Sequence, residues 1–123
     1  MLKSILIVGI GSFFGGALRY SISALMRNII TSGFPWGTLL VNLIGCFAFG
    51  TIFALFDKQG SASSSWCLLL TTGLCGGFTT FSTFANESMH MLQNNNWSGF
   101  LCYATTSLVV GLSLVALGYW IVK

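Results

Sequence analysis

Charge is nearly absent from this sequence. Five Lys or Arg residues and two Asp or Glu residues make up 6% of its 123 positions, while 54% are hydrophobic. A soluble domain of this size could not cover its surface with so few polar groups, so the chain reads as an all-α integral membrane protein with a single domain. The basic residues form no run, and nucleic acid is excluded as a partner. His90 is the sole histidine, and no cluster of His, Cys and acid exists to hold a transition metal. No nucleophile stands beside a base, so an enzyme is not expected. Cys46, Cys67, Cys75 and Cys102 all lie inside apolar segments without a CxxC pair. They read as reduced packing residues and say nothing about redox compartment.

No acid occurs before Asp57, and Glu87 is the only one inside an apolar segment. Lys3 ahead of an apolar run imitates a signal peptide, with Ser21-Ile-Ser23 as a mock cleavage site. Arg19 interrupts that pattern, and no soluble mature domain follows, so the segment is expected to be a retained helix.

What is present is four apolar spans, at about 5–25, 36–56, 66–92 and 97–122. Trp36, Trp66, Trp97 and Trp120 all fall at span ends, as an interfacial aromatic belt requires. Four spans put both termini on one side of the bilayer. Lys3, Lys58 and Lys123 fall on that side and Arg27 on the other, a weak bias compatible with insertion in both orientations.

One stretch organises the rest: Gly73-Leu-Cys-Gly-Gly-Phe-Thr-Thr-Phe-Ser-Thr-Phe84. As an uninterrupted helix its span would be about 40 Å long, against a bilayer core of about 30 Å. Three glycines followed by dense hydroxyls and phenylalanines predict a break near Gly76–Thr80 at mid-membrane, with Gly76 and Gly77 freeing the backbone. Non-helical backbone survives at that depth only in a protein interior or beside a watery cavity, so the break marks a site.

The other spans present polar stripes to it. In the first, Gly11 and Gly15 form a GxxxG pair, with Ser12 and Gly16 as a second small pair beside it. Arg19 continues the stripe at i+4, either facing the bundle or snorkelling to the near interface. In the second, Thr38, Asn42 and Gly45 share one face. An Asn amide at mid-span is either an interhelical hydrogen bond or a site. In the fourth, Tyr103, Thr106, Ser107 and Gly111 lie on one stripe. Thr80, Thr83, Phe84 and Glu87 share a face of the third, Thr79 and Ser82 add hydroxyls, and Phe81 and Phe84 are one turn apart. Neutral donors suit a small anion that must be held weakly enough to leave. Phenylalanine edges are electropositive and can add to this, although a Phe pair at that spacing also serves plain packing.

The run Gly76-Gly77-Phe78-Thr79-Thr80-Phe81-Ser82-Thr83-Phe84, with Glu87 after it, resembles the third-helix signature of the Fluc (CrcB-type) fluoride channels. Gly15-Gly16-Ala-Leu-Arg19-Tyr20 and Gly37-Thr38-Leu-Leu-Val-Asn42-Leu-Ile-Gly45 resemble that family's first- and second-helix motifs, and the resemblance covers the whole chain. It implies a dual-topology antiparallel homodimer in the cell inner (plasma) membrane, with two fluoride pores near the subunit interface. Phe81 and Phe84 would be the pore phenylalanines and Asn42 the second-helix pore residue. Tyr103 and Ser107 would form the fourth-helix track, with Thr38, Thr80, Ser82 and Thr83 as further pore donors. Arg19 would be the vestibule arginine. Gly76 and Thr79 would offer backbone carbonyls, from both subunits, to a central structural sodium ion. Gly111 stands where some relatives carry a further serine.

Two other readings fit part of the pattern. A small proton-coupled multidrug antiporter shares size and span count but relies on a first-helix Glu that this chain lacks. A structural subunit of a larger membrane complex would not conduct alone.

Overall fold

The computed structural model describes residues 1–30 and 33–122; Lys123, counted above in the charge bias, lies outside the described residues. Every regular element among them is helical: α1 Leu2–Ile29, α2 Trp36–Lys58, α3 Ser65–Leu68, a π-helical segment Leu69–Cys75, α4 Gly76–Phe78, α5 Phe81–Gln93 and α6 Trp97–Val122. α3, the π segment and α4 run on without a gap, so they form one rod that stops at Thr79. Four stretches are long and apolar enough to cross a membrane: Leu2–Ile29, Trp36–Lys58, Ser65–Gln93 and Trp97–Val122. α1 outruns its expected span at both ends. Helical hydrogen bonding does not stop where the hydrocarbon does, and Lys3 and Arg27 can reach the headgroups from those extra turns.

The connections use local chemistry. Ser64 caps α3 by accepting the Cys67 N–H at 3.2 Å. Gly60, at φ 73°, ends α2 in a left-handed turn. Between α5 and α6, Asn95 adopts φ 58°, a conformation asparagine tolerates. The Asn96 side chain then accepts the Gly99 N–H at 3.0 Å, opening α6.

In lipid, burial of apolar surface does not drive helices together, so close packing must. α2 packs along α6, and α1 along the Ser65–Phe78 rod. A Cβ on Gly118 would sit 2.7 Å from the Phe47 carbonyl, and one on Gly50 would collide with the Val115 carbonyl. Both glycines therefore let the two backbones touch. On the other side, a Cβ on Gly11 would lie 2.6 Å from the Leu69 carbonyl, and one on Gly15 would collide with the Leu74 carbonyl. Gly77 faces Ser12 in the same way, at 2.7 Å from its Cα, and the Ser12 hydroxyl donates to the Gly73 carbonyl at 3.2 Å. The GxxxG pair of the first span is thus consumed within its own chain and is not free for a second copy. The opposite side of α1 exposes Ile5, Leu6, Ile10, Phe13, Phe14 and Leu18, as a lipid-facing surface should.

Gly76 and Gly77 also depart from expectation. Both remain helical, and the backbone leaves helical geometry only at Thr79 (φ −85°, ψ 159°) and Thr80 (φ −150°, ψ 122°). Gly77 is there because α1 passes too close for a side chain, not because the chain must unwind.

Gly15→Ala should therefore lower stability by about 1–3 kcal/mol, the range for a methyl forced into a packed interior. Gly9, whose Cβ would meet nothing within 4 Å, is the control. Thermal unfolding of both variants in one detergent tests this, with Gly9→Ala expected to melt with the parent protein.

Candidate functional site

The site is built around two residues that have left the helix. Thr79 still ties itself back: its N–H and its Oγ1 both donate to the Cys75 carbonyl, each at 3.0 Å. Its methyl fits where Gly45 of α2 has no side chain; a Cβ there would collide with it. Thr80 then turns both backbone polar groups toward α2. The Asn42 side chain answers them together: its Oδ1 accepts the Thr80 N–H at 2.9 Å and its Nδ2 donates to the Thr80 carbonyl at 3.2 Å. The Thr80 Oγ1 accepts the Thr83 N–H at 3.4 Å and so caps α5. Thr83 Oγ1 and Ser82 Oγ lie 3.2 Å and 3.4 Å from that same oxygen.

The end of the rod has its own partner. Arg19 Nε donates to the Gly77 carbonyl at 3.2 Å. Of the two positions open to Arg19 in the sequence, it takes the one facing the bundle. A cation at the C-terminal end of a helix is favourable for the dipole as well as for the unpaired carbonyl.

Asn42, Thr79, Thr80, Phe81, Phe84 and Ser107 line one groove of about 300 Å³, closed by Cys46, Ala104 and Leu108. None of these nine residues is charged. The Ser107 Oγ is buried with no hydrogen-bond partner among the described residues. Phe81 and Phe84 stand 5.8 Å apart with their rings tilted at 43°. Phe81 is 78% exposed, so one wall of the groove is open.

Other expected donors are elsewhere. Tyr103 is wholly buried, and its hydroxyl donates to Glu87 Oε1 at 3.0 Å. Its ring packs 4.9 Å from Phe84 and 5.6 Å from Phe34, within a core that includes Leu39 and Met91. Tyr103 therefore stands behind the groove and supports Phe84. Thr38 is buried too, beside Glu87 in a separate cavity near the start of α2. Ser82 and Thr83 belong to the cap of α5 and are not part of the groove lining. Arg19 also lies outside that lining.

The stripe rule that selected Asn42 would also have found Cys46, one turn on. Ala104 and Leu108 flank Ser107 in the same way but carry no polar atom to draw notice. The Tyr103–Glu87 bond had no sequence signal, because it joins two helices whose relative rotation only the fold determines.

The chain's oxygens fit a monovalent cation. Thr80 gives its N–H to Asn42, so the Gly76 carbonyl loses its i+4 donor, and Thr79 is extended. Gly76 lies exposed beside this break. Neutral carbonyl oxygens without carboxylates suit a hard ion of low charge. Among the described residues no group of three His, Cys, Asp or Glu could hold a metal.

A family model described as CrcB-like protein, Camphor Resistance (CrcB), matches residues 6–119. The chain belongs to this CrcB-like family. This CrcB-like protein is 38% identical over 121 residues to the fluoride-specific ion channel FluC of Leptospira interrogans, across 98% of this chain and 95% of that protein. It is 40% identical over 119 residues to the FluC of Phocaeicola vulgatus, covering 97% and 98%. To the FluC of Xylella fastidiosa strain 9a5c it is 41% identical over 116 residues, covering 94% and 81%.

Tyr103→Phe should remove the donor that satisfies Glu87 and lower stability by about 1–3 kcal/mol. Glu87→Gln keeps an acceptor oxygen for that hydroxyl and should cost less. Reversible unfolding in mixed micelles measures both; no loss for Tyr103→Phe would mean that the Tyr103–Glu87 bond contributes nothing.

Proposed function

We propose that this CrcB-like protein is a fluoride-selective ion channel that lets fluoride leave the cell passively. It is a channel rather than an enzyme, in keeping with relatives named as fluoride-specific ion channels along almost the whole chain. The observation that carries the reading is the groove. It is uncharged, it holds the unpartnered Ser107 hydroxyl, and two phenylalanine rings form part of its wall. A bare or partly dehydrated fluoride needs donors in place of its water, and it must be able to leave again. Ser107 and the Asn42 amide offer neutral donors, and the edges of Phe81 and Phe84 offer weak positive potential without a fixed charge. An antiporter would need a carboxylate on the path. Glu87 takes no part in lining the groove and already accepts from Tyr103.

The pore in this reading is completed by a second copy in the opposite orientation. Phe81, Ser82 and Asn86 are exposed on α5, next to the exposed Gly76 of the rod. Polar groups on a lipid-facing surface are costly, so a partner helix over this face supports the dimer. A structural sodium ion between the two breaks would be held by the carbonyls of Gly76 and Thr79 from both subunits. When bound it supplies the positive charge those oxygens need. The chain's own part is to present them, by diverting the Thr80 N–H and by keeping Thr79 extended. The location is the cell inner (plasma) membrane, where a passive fluoride path would relieve the cytoplasm.

Purified protein in liposomes should release fluoride and retain chloride, with no proton gradient applied. Comparable loss of both anions would overturn selectivity. No conduction by the protein alone would favour a subunit role in a larger complex. Accessibility labelling of a terminal tag in cells should find both orientations; a single orientation for every copy would refute the antiparallel dimer.

A further inference from the structure

Thr80 lies between two helices, with no strand beside it, yet both its backbone groups are paired. The partner is a single side-chain amide. Asn42 offers an acceptor and a donor in the same plane, the pattern that one residue shows to another in a hydrogen-bonded pair of an antiparallel sheet. Thr80 has the dihedrals of an extended strand, φ −150° and ψ 122°. Its own Oγ1 caps α5, which begins one residue later at Phe81. The position and direction of Phe81 and Phe84 therefore descend from the point where Thr80 is held. Gly45, one turn further along α2, admits the Thr79 methyl and holds the other extended residue against the same helix.

We propose that Asn42 is a positioning residue: it templates the extended break through both backbone groups of Thr80, and so fixes where Phe81 and Phe84 enter the groove. This rests on the fluoride-channel reading but assigns Asn42 a task other than contact with the anion. Its Oδ1 is occupied by the Thr80 N–H and one Nδ2 hydrogen by the Thr80 carbonyl. The amide cannot flip without placing like against like at both bonds. One Nδ2 hydrogen of Asn42 is left outside the clamp.

The test breaks one of the clamp's two bonds without touching Asn42. A backbone ester at residue 80, made by placing the α-hydroxy analogue of threonine there, deletes the Thr80 N–H and leaves every side chain intact. Fluoride flux through liposomes should fall about three- to tenfold, the range for one hydrogen bond lost. Added to Asn42→Ala, the ester should lower flux little further, because both changes remove the same interaction. If the ester alone leaves flux unchanged while Asn42→Ala abolishes it, Asn42 acts only by direct contact and the proposal fails. Hydrogen exchange on the unmodified protein gives an answer independent of transport. The Thr80 amide, outside any helix, should exchange as slowly as its helical neighbours, and fast exchange would overturn the clamp. Absence of fluoride flux in the unmodified protein would sink the channel reading alone, since the exchange result does not depend on it.

Discussion

A polypeptide in hydrocarbon must satisfy its backbone internally, and this constraint governs the fold. Among the described residues, the helices obey it along their length. Two residues, Thr79 and Thr80, do not, and their neighbours supply what the helix no longer can. Asn42 pairs both backbone groups of Thr80, Arg19 takes the Gly77 carbonyl, and the Thr80 hydroxyl takes the Thr83 N–H. Each such group left alone would cost several kcal/mol in lipid. Within the membrane-crossing stretches, Asn42 and Arg19 thus stand where the broken backbone needs them. The groove is a by-product of the same arrangement: a helix that ends and restarts leaves a gap, and the phenylalanines of the restarted helix form part of its wall.

The number of spans was legible because hydropathy and the four tryptophans report the same physical boundary, that between lipid and water. The position of the break was legible to within a few residues, but its cause was not. A missing Cβ frees the backbone and also permits close approach, and a sequence does not separate the two uses. Here Gly77 and Gly15 serve close approach, while two threonines carry the extended geometry. Stripe spacing singled out Asn42 and Ser107, and both line the groove. It did not separate Tyr103 from Ser107. Residues four apart are turned about 40° from each other, enough here to put a long side chain behind the wall and a short one in it.

Arg19 and Glu87 show how the few charges are used. Neither makes an ion pair with the other, and neither lines the groove. Arg19 is set against the end of a helix, and Glu87 receives a buried phenol. In the proposed channel an ion in the groove would therefore meet dipoles before full charges, which favours quick exchange over tight binding.

The π segment Leu69–Cys75 adds a constraint of another kind. Along α1 the two small residues Gly11 and Gly15 are four apart, while the carbonyls they face, Leu69 and Leu74, are five apart. The wider π turn is what keeps these two spacings in step. The segment thus holds one residue more than an α-helix in the same place would. Without it the facing carbonyls would be four apart, like the glycines, and the rod could close into ordinary α-helix with Gly77 still against Ser12. The extra residue is an insertion that the wider turn absorbs, so the two ends of the rod keep their register on α1.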